Sequence, residues 1–144
     1  MSYLVKRGHI EMWQKSGTCI GLLLLLCILA GCTITDSAFA RTTGNAGSAF
    51  AAAMTTLAYE HEGKITSAYA ASSFADFQSE LTGTDQTLLA QGAANTQTVR
   101  HLLALYTPAM QVIDAPCLSN ACDWRTQDAL LQRASQAFLE AGNT

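Results

Sequence analysis

Charge is scarce in this chain, and basic charge scarcer still. Only 13% of its 144 residues are charged, eight Lys and Arg against eleven Asp and Glu. Binding driven by phosphate neutralisation needs several cations gathered on one face, so a nucleic-acid partner is excluded. Proline is nearly missing: Pro108 and Pro116 are the only two, and both mark one expected connector. No alternating Val/Ile-rich run suggests a strand. H-E-x-x-H, G-x-S-x-G and C-x-x-C are absent too, so no locally encoded metal, serine-hydrolase or dithiol site is legible. No cofactor, metal or small-molecule ligand is indicated.

What the chain does have is concentrated near its start. The segment Cys19–Ala30 reads "CIGLLLLLCILA", with Lys6, Arg7 and Lys15 before it and small residues after it. A charged beginning, a short apolar middle and a small-residue end form the layout of an export signal. The run falls short of the about 20 residues a bilayer span needs. Eighteen residues precede Cys19 and include Glu11, out of place in a positive region. Met12 offers a tighter start, "MWQKSGTCIGLLLLLCILAGC".

Leu29-Ala30-Gly31-Cys32 resembles the lipobox of bacterial lipoproteins at all four positions. The resemblance implies cleavage between Gly31 and Cys32 and attachment of lipid to the Cys32 thiol, with palmitate-type acylation of the new amino terminus. Two or three acyl chains make such an anchor effectively permanent, at about 0.8 kcal/mol per buried methylene. Thr33, where an Asp would retain such a protein in the inner membrane, points to the outer membrane and a periplasm-facing domain. A rival signal cleavage site, Ala38-Phe39-Ala40, lies about ten residues beyond the apolar run, further than such sites sit.

The expected organisation is therefore a signal peptide over 1–31, a lipidated cysteine and tether over 32–45, and a domain over 46–144. From Cys32 onward, Arg41, Lys64, Arg100, Arg125 and Arg133 face ten Asp and Glu, a net of about −5. "TITDSAFARTTGN", residues 33–45, shows no helical stripe. Four helical segments follow. Phe50, Ala53, Met54, Leu57 and His61 share a face over 46–62, with Gly63 as a stop. Ala70, Phe74, Phe77 and Leu81 form a weaker stripe over 66–81, ended by Gly83. The third segment starts at a capping Thr84 and carries Leu88, Gly92, Val99, Leu102, Leu103 and Tyr106 down to a break at Pro108. Gly92 inside it marks an expected close helix crossing. The fourth, from Trp124 to Ala141, turns Leu130, Leu131, Ala134, Ala137, Phe138 and Ala141 one way, with Gly142 as C-cap. The fold class read from this pattern is all-α, a small three- to four-helix bundle with one small disulfide loop.

That loop is "PCLSNACDW". Cys19 and Cys27 belong to the signal and Cys32 to the lipid, which leaves Cys117 and Cys122 as an even pair in an oxidising compartment. Their spacing suits a structural disulfide, worth roughly 2 kcal/mol on a chain-entropy estimate. It would pin the connector to the last helix, which Asp123 or Thr126 could cap. Trp124 is expected as a lid over the loop. In "YEHEGK", Glu60, His61 and Glu62 are consecutive and splay about 100° apart on a helix, so they do not converge on one ion. His61 is expected at a helix C-terminus, where it favours the dipole, and His101 on the solvated side of its helix.

These features describe a membrane-anchored, non-catalytic interaction or structural module of a cell-envelope assembly of the secretion, conjugation or transport type. Its expected partner is another envelope protein. The connector, through Leu118, Asn120 and Trp124, is the expected contact surface because a rigidified loop binds at low entropic cost. An exclusion or immunity lipoprotein that blocks a phage, plasmid or toxin would look the same. A small envelope hydrolase is the third reading, and it would require His61 and Asp114 to meet in one pocket.

Overall fold

The computed structural model describes residues 37–91 and 96–143, and every regular element among them is helical. In chain order these are α1 (Ala38–His61), α2 (Ser67–Leu81), α3 (Thr84–Gln91), α4 (Gln97–Asp114) and α5 (Trp124–Gly142). The signal peptide, the start at Met12, cleavage at Gly31, lipidation at Cys32 and the crossing at Gly92 all lie outside the described residues.

Helix α1 begins eight residues earlier than its apolar stripe suggests. The Ser37 hydroxyl accepts the Ala40 N–H at 3.0 Å and satisfies one of the first-turn donors. Residues 38–45 therefore belong to the helix rather than to a tether. The buried side of α1 starts with small residues: Thr43, Ala46, Gly47 and Ala49 are buried along with Phe50, Ala53 and Leu57. Thr43 is fully covered, and its hydroxyl donates back to the carbonyls of Phe39 and Ala40. A close helix crossing needs small residues, not a wide apolar stripe, so hydropathy is silent about it.

The partner across that crossing is α5, with which α1 packs most extensively. A Cβ on Gly47 would stand 2.7 Å from Leu139 Cγ and 2.9 Å from the Leu139 backbone nitrogen. One on Gly142 would stand 3.1 Å from both the Ala40 carbonyl and the Thr43 hydroxyl. Gly142 is thus the last helical residue, kept small by the crossing. The C-cap is Asn143, and neither residue adopts a left-handed conformation.

The segment expected as one helix from Thr84 to Pro108 is two. Gly83, at φ +84°, makes the turn out of α2, and Thr84 is the first residue of α3 rather than its cap. Thr96 caps α4 by accepting the Val99 N–H. Helix α4 runs through Pro108 to Asp114. An interior proline costs about 3 kcal/mol through its missing N–H and ring clash. Beyond it, however, Ala109, Val112 and Ile113 are all buried. Burying a Val or Ile is worth about 1.5–3 kcal/mol each, enough to carry the helix past the break.

Helices α2 and α5 follow their expected bounds closely. Thr66 caps α2, and Ala70, Phe74 and Leu81 are buried with Phe77 partly so. Gly63, at φ +69°, ends α1. In the core, Phe50 meets Phe138 edge-on at 5.5 Å between ring centroids and Tyr106 at 6.2 Å. Such edge-to-face pairs add about 0.5–1.5 kcal/mol beyond area burial. Helix α4 packs on both α5 and α2, and α2 also on α1, which closes a four-helix arrangement with α3 bridging α1 and α4. No described helix is long and apolar enough to cross a membrane.

Candidate functional site: the braced disulfide connector

Residues 115–123 connect α4 to α5, and several side chains from neighbouring elements hold them. Cys117 and Cys122 form the expected disulfide, with Cα atoms 5.9 Å apart. From α1, the last residue His61 places Nε2 2.7 Å from the Cys117 carbonyl oxygen. A carbonyl only accepts, so Nε2 carries the proton in this bond. The same ring lies flat against Trp124, centroids 4.7 Å apart and 10° from parallel. From α5, the Gln127 amide takes the connector at two points: its Oε1 accepts the Cys117 N–H at 2.7 Å, and its Nε2 donates to the Ala115 carbonyl at 3.2 Å.

Asp123 is the N-cap of α5. One carboxylate oxygen accepts the Thr126 N–H and the other the Thr126 hydroxyl. These bonds favour the charged form, the hydroxyl most of all, and hold the carboxyl below the usual carboxylate range. One turn on, burial pushes Asp128 up. At the end of α1, the Ser67 hydroxyl donates to Glu60, tying the start of α2 to the same corner. Lys64 pairs with Glu62 and sits over the Tyr59 ring, and the Glu62 carboxylate raises its pKa.

Of the residues expected to form a contact surface, Asn120 is exposed, within an exposed run over 119–123. Leu118 and Trp124 are partly buried against the core, so they anchor the connector more than they present it. The Trp124 ring is taken up by His61 on one side, and the Arg125 guanidinium lies 5.1 Å from its ring centroid. His61 and Glu60, although adjacent in sequence, do approach each other, with Nε2 3.5 Å from Glu60 Oε2. His61 is the final helical residue, and its ring also reaches the connector and Trp124.

Asp114, the partner His61 would need in a hydrolase, instead accepts a hydrogen bond from Gln78 Nε2 at 2.9 Å. That bond links α2 to the end of α4. His101 is exposed, beside Gln97 and Glu140 on an open groove between α4 and α5.

Gln127 is the member of this cluster that sequence reading missed. It lies a turn into an amphipathic helix, where glutamine is an ordinary surface residue, and only the fold brings it to the connector. Compared with protein-family models, with curated proteins and with solved structures, the chain shows no match to any of them.

Proposed function

We propose that this chain is a lipid-anchored, non-catalytic interaction module of a cell-envelope assembly, presenting its braced connector to another envelope protein. The lipobox-like Leu29-Ala30-Gly31-Cys32 supports the anchor, at the outer membrane and facing the periplasm. The start of α1 supports cleavage at Cys32 over the rival site. A cut after Ala40 would remove the Ser37 cap, the partly buried Phe39 and the Ala40 backbone that Gly142 packs against. A cut before Cys32 leaves all of them in place.

The observation that carries the interaction reading is the bracing of the connector. A loop closed by a disulfide and held by His61, Gln127 and Trp124 exposes residues 119–123 with little conformational entropy left to lose. Helix α1, at 1.5 Å per residue, separates this corner from the anchor-proximal start of the domain by about 36 Å.

Two measurements test the reading. Cys32→Ser should lose acyl labelling and move the protein out of the membrane fraction. A photo-crosslinking residue at Asn120 should capture one envelope protein in cells, whereas the same probe at the exposed Arg133 should not. Membrane retention of the Cys32→Ser protein would remove the anchor. Equal capture from both probe positions would remove the connector as the contact surface.

A further inference from the structure

The two sulfurs of the disulfide differ in access. Cys117 is only 3% exposed. Its backbone is also held at both ends, its N–H by Gln127 and its carbonyl by His61. Cys122 lies in the exposed run 119–123, between the small Ala121 and the helix cap Asp123. The nearest hydroxyl, that of Ser119, is 3.7 Å from Cys122 Sγ. Thiol–disulfide exchange depends on which sulfur the attacking thiolate can reach. We infer that Cys122 is a thiol-exchange site: an incoming thiolate attacks Cys122 Sγ and not Cys117 Sγ.

In that step a new S–S bond forms between the incoming sulfur and Cys122. The Cys117–Cys122 bond breaks, and Cys117 Sγ leaves with the electron pair and takes a proton from water. A second thiol then attacks the incoming sulfur and displaces Cys122 as a thiolate. The attacking thiols end as a disulfide, having supplied the two electrons. The bonds from His61 and Gln127 are to the Cys117 backbone, not to its sulfur. Cys117 therefore stays seated when the bridge opens, and only residues 119–122, between the core-packed Leu118 and the helix cap Asp123, are released. The exchange is local, and it does not depend on the lipid anchor.

A free thiol and a protein dithiol present the same attacking sulfur, so the test has two arms. The oxidised protein is incubated with glutathione in one. In the other it meets a C-x-x-C exchange domain whose second cysteine is serine. Each reaction is quenched in acid, unfolded and alkylated. Both cysteines fall on the single tryptic peptide His101–Arg125, so fragmentation mass spectrometry places each adduct. The adduct is expected on Cys122 at least tenfold over Cys117, with Cys117 alkylated and the helical circular dichroism unchanged. Adducts in the glutathione arm alone assign the site to small thiols, and in the other arm alone to a protein dithiol. Adducts mainly on Cys117, or adducts that appear only as helical signal is lost, would overturn the proposal.

Discussion

His61, the last residue of α1, donates its Nε2 hydrogen to the Cys117 carbonyl across 2.7 Å, and so joins the end of one helix to the middle of a connector 56 residues away. Its ring spends its apolar face on Trp124. His61→Ala removes both interactions and should lower stability by about 1–3 kcal/mol, the sum of a net hydrogen bond and a ring stack. His61→Phe keeps the stack and should lose about half as much. Urea denaturation measures both, and amide exchange should quicken at 117–119 in each variant.

Gly47 and Gly44 lie three residues apart on α1 and should respond in opposite directions to alanine. A Cβ at Gly47 meets Leu139 at 2.7 Å, whereas one at Gly44 meets nothing within 4 Å. Alanine gains up to about 1 kcal/mol over glycine in a helix interior. At Gly44 that gain stands alone, and Gly44→Ala should raise the melting temperature. At Gly47 overpacking costs about 1–3 kcal/mol and involves a backbone atom that cannot swing away, so Gly47→Ala should destabilise. Thermal melts of the two single variants check the pair. A stabilised Gly47→Ala protein would mean that α1 and α5 are further apart.

Tyr106 donates its hydroxyl to the Leu81 carbonyl at 2.7 Å within the core. Tyr106→Phe leaves that carbonyl unpaired and should cost about 1 kcal/mol. Burial, with Asp85 and Asp114 adding to it, raises the Tyr106 pKa above its ordinary 10.0. The folded state therefore keeps the phenol proton that the unfolded chain releases. The Tyr106 contribution is complete below pH 10 and is lost as pH rises toward the raised folded value. The stability difference between the native protein and Tyr106→Phe should accordingly narrow in alkali, as read from denaturation curves on either side of pH 10.

Asp123 titrates in the opposite sense. Its folded pKa lies below the ordinary 3.8, held there by Thr126. Its contribution as cap of α5 is present above pH 3.8 and is lost as pH falls through the lowered folded value. Asp123→Ala should melt earlier than the native protein at neutral pH, and the two curves should converge in strong acid. Asp123→Asn keeps an acceptor at the cap and should flatten the acid dependence without losing the helix start.

The fold was legible wherever one helix announces itself. Phe74 and Leu81 sit where the α2 stripe predicts, Leu131 and Phe138 where the α5 stripe does, and Gly63 stops α1 with the positive φ its position suggests. The disulfide followed from the even pair Cys117 and Cys122 in a chain whose start has the layout of an export signal. The candidate site was half legible: Cys117, Cys122, Asn120 and Trp124 could be named, whereas the roles of His61 and Gln127 could not. Both make their decisive contacts with backbone atoms of the connector, and backbone acceptors leave no trace in a pattern of side chains.

The sequence by itself determined an all-helical domain, the pairing of Cys117 with Cys122 and the stop at Gly63, because amphipathic period and turn chemistry are encoded within a few residues of where they act. Only the tertiary structure decided that α1 starts at Ala38, that α4 continues past Pro108, and that the end of α1 grips the connector. Each of these depends on a second helix: small residues become an interface only when α5 lies across them, and an interior proline is tolerated only when the turns beyond it are buried. Local pattern says what a segment can form. The surface it meets decides how far that form extends.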